Sequence, residues 1–248
     1  MNPMPTLLAT TLLAVPAAAS GAVIPAPAPA AVFRAPDGRA VEVFPLRHAS
    51  VRVRFGGLEI HVDPVGAPLP PPIDYTAFPK ADLILVTHEH FDHFDRDAIE
   101  TLRSPSTVLF ANSAVRAVLG WGTPLANGES AAFRDGVSVL AVPAHNTSPD
   151  RLRFHPRGRD NGYVLDLGGF RVYFAGDTEE TANMASLPPI DLAFLPCNLP
   201  YTMTPEQTAA ATRTIPPKVL IPYHCPPDAA RRVADLLAGS GIDVRLLP

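Results

Sequence analysis

Only 2 cysteines occur in the 248 residues, too few for a disulfide scaffold or a cysteine-rich zinc module. Basic residues never form a run: 20 lysines and arginines are scattered against 24 acidic residues, for a net charge of −4. That balance excludes the electrostatic footprint of a nucleic-acid binder and a polybasic membrane patch. No apolar stretch reaches the roughly 20 residues that a transmembrane helix needs. A glycine-rich phosphate loop of the P-loop or dinucleotide-binding type is missing too. What the chain does have is 30 prolines, a hydrophobic fraction of 47% against 18% charged, and 8 unevenly spread histidines. These are the marks of one loop-rich globular domain with ample core.

The first 35 residues differ from the rest. Thr6 to Val15 is apolar, Ala17 to Ala22 is a run of small residues, and Pro25 to Ala31 alternates proline with alanine. This order predicts a signal peptide and an extended Pro/Ala spacer over 1–35, ahead of a single domain over 36–248. Export to the periplasm or medium follows from it, with no stable membrane insertion once the leader is removed. The absence of Lys or Arg before Arg34 leaves a cytoplasmic protein as the alternative.

Beyond the leader, Val51–Phe55 and Leu58–Val62 flank Gly56-Gly57, and Tyr163–Leu167 and Phe170–Phe174 flank Gly168-Gly169. Both are two-residue hairpin signals. Each second strand runs into an aspartate, Asp63 or Asp177, which suggests two related halves. Further strands are expected at Leu83–Val86, Val108–Phe110, Val137–Val142, Leu192–Leu195 and Val219–Ile221. Helices are expected from Asn112 to Leu119, from the Thr204-Pro205-Glu206-Gln207 capping signal, and from about Pro227 to Leu237. Interleaved strands and helices make this an α/β fold.

The chemistry concentrates in Thr87-His88-Glu89-His90-Phe91-Asp92-His93-Phe94, directly after an apolar strand. Three imidazoles and a carboxylate within six residues form a dense set of nitrogen and oxygen donors for Zn or a similar divalent ion. Alternation directs His88 and His90 the same way, while Asp92 and His93 follow a turn. Other strand ends add His145, Asp177 and His224. Taken singly, a strand-end histidine is more often structural and a Gly-Asp more often a turn; the combination discriminates.

The order H-x-H-x-D-H, then His, then Gly-Asp-Thr, then His resembles the metallo-β-lactamase superfamily. The resemblance runs from about Leu46 to His224, and Phe194–Tyr201 and Ile221–His224 look closest to its ascorbate-phosphate-lactonase-like branch. It implies a four-layer αββα sandwich and two divalent ions, Zn foremost, with Mn or Fe also compatible. His88, His90 and His145 would hold the first ion, Asp92, His93 and His224 the second, with Asp177 bridging. Asp63 would orient a ligand from behind. The implied activity is hydrolysis of a small ester, lactone or phosphodiester by a metal-bridging hydroxide, with Asp92 steering the nucleophile.

His48, Asn198, Tyr201 and His155 are candidates for the substrate shell, His48 because that branch also tends to carry histidine there. The Arg151–Arg159 loop with His155 reads as a solvated charged loop rather than a receptor for an anion. Cys197 and Cys225 are read as buried thiols. The partner is a small-molecule substrate. The alternative is a non-haem iron oxidoreductase on the same fold, against which the complete second-metal set and the lack of room for a flavin domain both argue.

Overall fold

Two Gly-Gly turns nucleate the two halves of the molecule. The structure, a computed structural model, describes residues 28–246; the expected signal peptide falls almost wholly outside them. In the first half, β1 (Ala31–Arg34), β2 (Ala40–Arg47), β3 (Ser50–Phe55), β4 (Leu58–Val62), β5 (Leu83–Val86), β6 (Val108–Ala111) and β7 (Thr123–Pro124) form one sheet in chain order. In the second, β8 (Ser130–Ala132), β9 (Val137–Ala144), β10 (Asp160–Leu167), β11 (Phe170–Phe174), β12 (Leu192–Pro196), β13 (Val219–Tyr223) and β14 (Asp243–Val244) form another. In both, the first four strands pair antiparallel and the last three join on in parallel. The repeat read from two hairpins therefore extends over seven strands each.

Alternation along the strands sorts side chains between layers. Val51, Val53 and Phe55 of β3, Leu83 and Leu85 of β5, and Phe194 and Ile221 of β12 and β13 meet in the core between the sheets. Ile84 and Val86, on the other face of β5, pack under α1 (Arg96–Leu102) and α2 (Ser113–Leu119). Leu195 and Leu220 pack under α3 (Pro205–Thr214) and α4 (Pro227–Leu236). This double burial is why Leu83–Val86 is a continuous apolar run rather than an alternating one. The result is the expected αββα sandwich. Truncating the fully buried Leu85 to alanine should cost about 2–5 kcal/mol.

Local signals hold at the helix starts. Asn112 accepts from Val115 N, and Thr204 and Gln207 form a reciprocal capping box with Pro205 at the first turn. Three details depart from expectation. Among the described residues the first strand lies at Ala31–Arg34, within the segment expected as spacer, because it adds an edge to β2. Strand β10 begins at Asp160 rather than Tyr163, since Asp160 pairs with Ala144. Helix α1 was hidden behind the histidine motif; Asp95 caps it by accepting from Asp97 N and Ala98 N.

Candidate metal centre

Every element that matters for the site reaches the same edge of the sandwich through a strand end or strand connection. His48 lies in the β2–β3 turn, Asp63 follows β4, and the His88–His93 motif follows β5. From the second sheet come the β9–β10 loop, Asp177 after β11, Asn198 after β12 and His224 after β13. His48, Asp63 and His224 adopt left-handed backbone conformations, with φ of 55°, 45° and 46°. Such residues cost about 1–2 kcal/mol each and cluster at functional sites.

Asp63 is buried and fully used. It accepts from Thr87 N and Thr87 Oγ1, both at 2.7 Å, and lies 2.8 Å from His93 Nδ1. A proton on Nδ1 donated to Asp63 leaves Nε2 of His93 free to bind a cation, the arrangement expected behind a metal ligand. Thr87 also fastens the two sheets, since its carbonyl accepts from Asn161 N. Gly176 packs against Thr87 with φ of 66°, where a Cβ would lie 2.9 Å from the Asn161 carbonyl oxygen; only glycine lets Asp177 enter there.

Asp177 is the centre of the arrangement. Its Oδ2 lies 3.3 Å from His155 Nε2, and its Oδ1 lies 3.2 Å from His93 Nε2 and 3.5 Å from His224 Nε2. Three donor sets overlap here: His88, His90 and His155; His48, Asp92, His93 and His224; and His88, His93 and Asp177 itself, which joins the other two. His93 Nε2 and Asp177 Oδ1 are both buried and face each other at 3.2 Å without the alignment of a hydrogen bond. An unsatisfied buried polar atom costs about 1–3 kcal/mol. A divalent cation between imidazoles and a carboxylate removes that cost, so the donor set fits a metal.

The electrostatics agree with that fit. Burial pushes His88 well below its ordinary pKa, with neighbouring His93 adding to the effect, and burial likewise lowers His90 and His48. That direction favours the neutral ring, as ligation requires. Burial opposes ionisation of Asp177 and Asp92, but facing histidines outweigh it and hold both carboxyls below their usual range. His93 is the exception: burial would lower it, yet Asp177 and Asp63 raise it well above the ordinary value.

His155, not His145, stands beside His88 and His90. The chain leaves β9 at Ala144, makes a long loop and returns at Asp160 opposite it. Asp160 Oδ2 lies 3.1 Å from His155 Nδ1 and presents the ring to Asp177. His145 belongs to none of the donor sets. Its backbone instead locks Thr178 and Glu179 in place, with its carbonyl accepting from Glu179 N. Glu179 in turn holds the loop by accepting from Thr147 N, Ser148 N and Ser148 Oγ and by pairing with Arg151 at 2.7 Å. The expected solvated arginine loop is thus partly internal: Arg151 and Arg159 are tied to buried carboxylates, while Arg153 and Arg157 face solvent.

The remaining expected residues also have places. His48 Nε2 lies 3.0 Å from Asp92 Oδ2, and its ring packs on His224 with centroids 3.6 Å apart. The Asn198 amide lies 3.1 Å from His224 Nδ1 and also lines the cleft over the donor sets, so it touches a histidine and faces the substrate space at once. Tyr201 lines a cleft of about 480 Å³ over the donor sets, together with Phe91, Phe154, Asp92 and His224. Cys197 and Cys225 are free thiols packed toward the α3/α4 layer. Among the described residues no helix is long and apolar enough to cross a membrane.

Comparison with known proteins gives the same picture. Residues 60–225 match the Beta-lactamase superfamily domain. A UPF0173 metal-dependent hydrolase of Thermococcus onnurineus is 33% identical over 201 residues, 77% of this chain and 88% of that protein. Among solved structures, a protein of Parabacteroides distasonis described as a metal-dependent hydrolase is 44% identical, with a TM-score of 0.83 over 87% of this chain and 96% of its own. The metallo hydrolase Igni18 of Ignicoccus hospitalis is 26% identical, with a TM-score of 0.68 over 84% and 94%. A domain match across most of the sandwich, these relatives and a buried His/Asp cluster at the strand ends place the chain in the metallo-β-lactamase superfamily, among its metal-dependent hydrolases.

Proposed function

We propose that the protein is a dinuclear hydrolase that cleaves a small ester-like substrate at the edge of the sandwich. The observation that carries this reading is Asp177, which turns one oxygen to each histidine set. His88, His90 and His155 would hold one ion, and His93, His224 and Asp92 the other, with Asp177 shared. Two divalent ions so held lower the pKa of water toward neutrality and polarise a carbonyl or phosphoryl oxygen.

The protein's own groups do the positioning. Asp63 and Asp160 fix the rings of His93 and His155 from behind, and Asn198 does so for His224. Asp92 lies at the cleft wall within reach of His48 and His224. Its carboxylate, kept ionised by the facing histidines, would steer the nucleophile, with His48 steadying it. Tyr201 stands at the rim, where its hydroxyl can donate to a substrate oxygen. Zn is the proposed ion, because it suits mixed imidazole and carboxylate donors. Residues 1–35 are read as an export leader with its spacer, placing the enzyme in the periplasm or medium; cell fractionation tests that directly.

The test of the hydrolase reading is metal content by mass spectrometry together with turnover of p-nitrophenyl esters, a lactone and bis-p-nitrophenyl phosphate. About two Zn or Mn per chain and activity abolished by chelation are expected. One iron per chain without hydrolysis would overturn the reading in favour of an oxidoreductase.

A further inference from the structure

The cleft over the donor sets has a lining that the chemistry of a metal hydrolase does not require. Phe91 stands between His90 and Asp92 in sequence and is 67% exposed, and Tyr201 is 45% exposed. With Phe154, whose ring meets that of Tyr201 edge-on at 5.0 Å, they form an aromatic wall around the opening. Leu152 and Leu199, neighbours in sequence of this wall, are also exposed. Large apolar side chains left in water together at a cleft mouth mark a surface made to be covered.

Beyond the proposed metal ligands, the described residues of the lining include no basic side chain. Among the described residues lining the cleft there is no lysine or arginine, whereas Glu89, Asp92 and Asp177 contribute carboxylates. The neighbouring guanidinium groups are already committed: Arg159 to Asp160 at 2.6 Å and Glu89 at 3.4 Å, and Arg151 to Glu179. Arg153 lies over the Phe154 ring at 4.6 Å, exposed and outside the cleft lining. With Asp92 and Asp177 assigned to the metals and Glu89 paired with Arg159, the described lining offers a phosphate or carboxylate carried away from the scissile bond no free guanidinium or ammonium group. Recognition of such groups normally needs an arginine or lysine.

We infer that the substrate is an uncharged carboxylic ester or lactone whose apolar substituent lies against Phe91, Phe154 and Tyr201. This inference rests on the hydrolase reading above and narrows it, setting phosphodiesters and anionic lactones aside. In the reaction a water oxygen bonds to the acyl carbon and the acyl–oxygen bond breaks. The alkoxide side takes up a proton, giving an acid and an alcohol.

The test uses full-length, metal-loaded enzyme with p-nitrophenyl esters from acetate to hexanoate, and the adipate monoester as a hexanoate bearing a terminal carboxylate. We expect kcat/KM to rise by up to about fourfold per added methylene, and the terminal carboxylate to lower it at least tenfold, roughly the loss expected for an unpaired buried charge. Phe91→Ala should flatten the chain-length series at unchanged metal content. Arg153→Ala should leave the neutral-to-anionic ratio as it is. A flat series in the wild type, preference for the adipate ester, or dependence of that preference on Arg153 would overturn the inference. Turnover of bis-p-nitrophenyl phosphate in preference to every ester would overturn it while leaving the metal-hydrolase reading intact. If the metal-loaded protein hydrolyses nothing, that reading fails, and calorimetric binding of hexanamide against adipamic acid decides the lining separately. Tighter hexanamide supports an apolar, uncharged occupant; equal or tighter adipamic acid rejects it.

Discussion

Asp63 and Asp177 occupy corresponding ends of the two halves, each beyond the second strand of a Gly-Gly hairpin, yet they do opposite work. Asp63 stands six residues after its second turn glycine and Asp177 eight. The shorter reach stops Asp63 behind Thr87, where its oxygens are taken by Thr87 and His93. The longer reach carries Asp177 past Gly176 into the midst of the histidines, with Oδ1 buried and unsatisfied. One half thus supplies a carboxylate bonded behind His93, and the other a carboxylate that, in the proposed function, would hold the cations. The strand connections show the same divergence. The β2–β3 turn delivers His48 directly, while the matching β9–β10 connection has grown into a loop braced by Glu179 that delivers His155. A duplicated sandwich becomes a site when the two halves stop being equivalent at their strand ends.

The largest effect should come from removing the open carboxylate. Asp177→Asn should lose both metals and all hydrolysis, measured by mass spectrometry and ester turnover; two metals retained would reject the contrast between the aspartates. Next is the comparison of two histidines that share one loop. His155→Ala should fall to about one metal per chain with activity near background, whereas His145→Ala should keep two. The reverse result would restore His145 as the ligand.

Substitutions behind the ligands should cost less. Asp63→Asn and Asp160→Asn should each weaken metal binding by about 10–100-fold, read by competition with a chromogenic chelator, while the protein stays folded. An effect as large as that of Asp177→Asn would mean that Asp63 is itself a ligand. His93 gives a pH dependence of known sign. Its pKa in the metal-free fold is raised, chiefly by Asp177 and Asp63 acting against burial, so its stabilising contribution is present below the unfolded pKa and lost as pH rises through the folded one. A metal must displace that proton. Affinity should therefore rise with pH, with up to about one proton released from this ring, measured by calorimetry in buffers of different ionisation heat. The smallest effect compares glycines. Gly57→Ala, at φ of 88° with open space around it, should cost about 1–2 kcal/mol, and Gly176→Ala more, because a carbonyl oxygen lies in the way.

How far the sequence shows this site follows from the range of the forces that build it. The hairpins, the buried strand Leu83–Val86 and the helices capped by Asn112 and Thr204 rest on local chemistry and are legible residue by residue. So is the density of donors in His88–His93, because those residues are neighbours in the chain. His155 is not legible in this way. It and His145 both follow β9, and only the Asp160–Ala144 pairing and the Glu179 clamp determine which ring returns to the centre. Asn198 is legible as a residue near the site, but its partnership with His224 is not, since the pairing of β12 with β13 brings the two together. Exposure of Phe91 is likewise a property of the assembled cleft and carries no sequence signal.

The most direct test of the account is anomalous diffraction from crystals of the Zn- or Mn-loaded protein. The account predicts two peaks about 3.5–4 Å apart on either side of Asp177, one against His88, His90 and His155 and the other against Asp92, His93 and His224. A single peak, or a first ion held by His145 with His155 turned away, would contradict it.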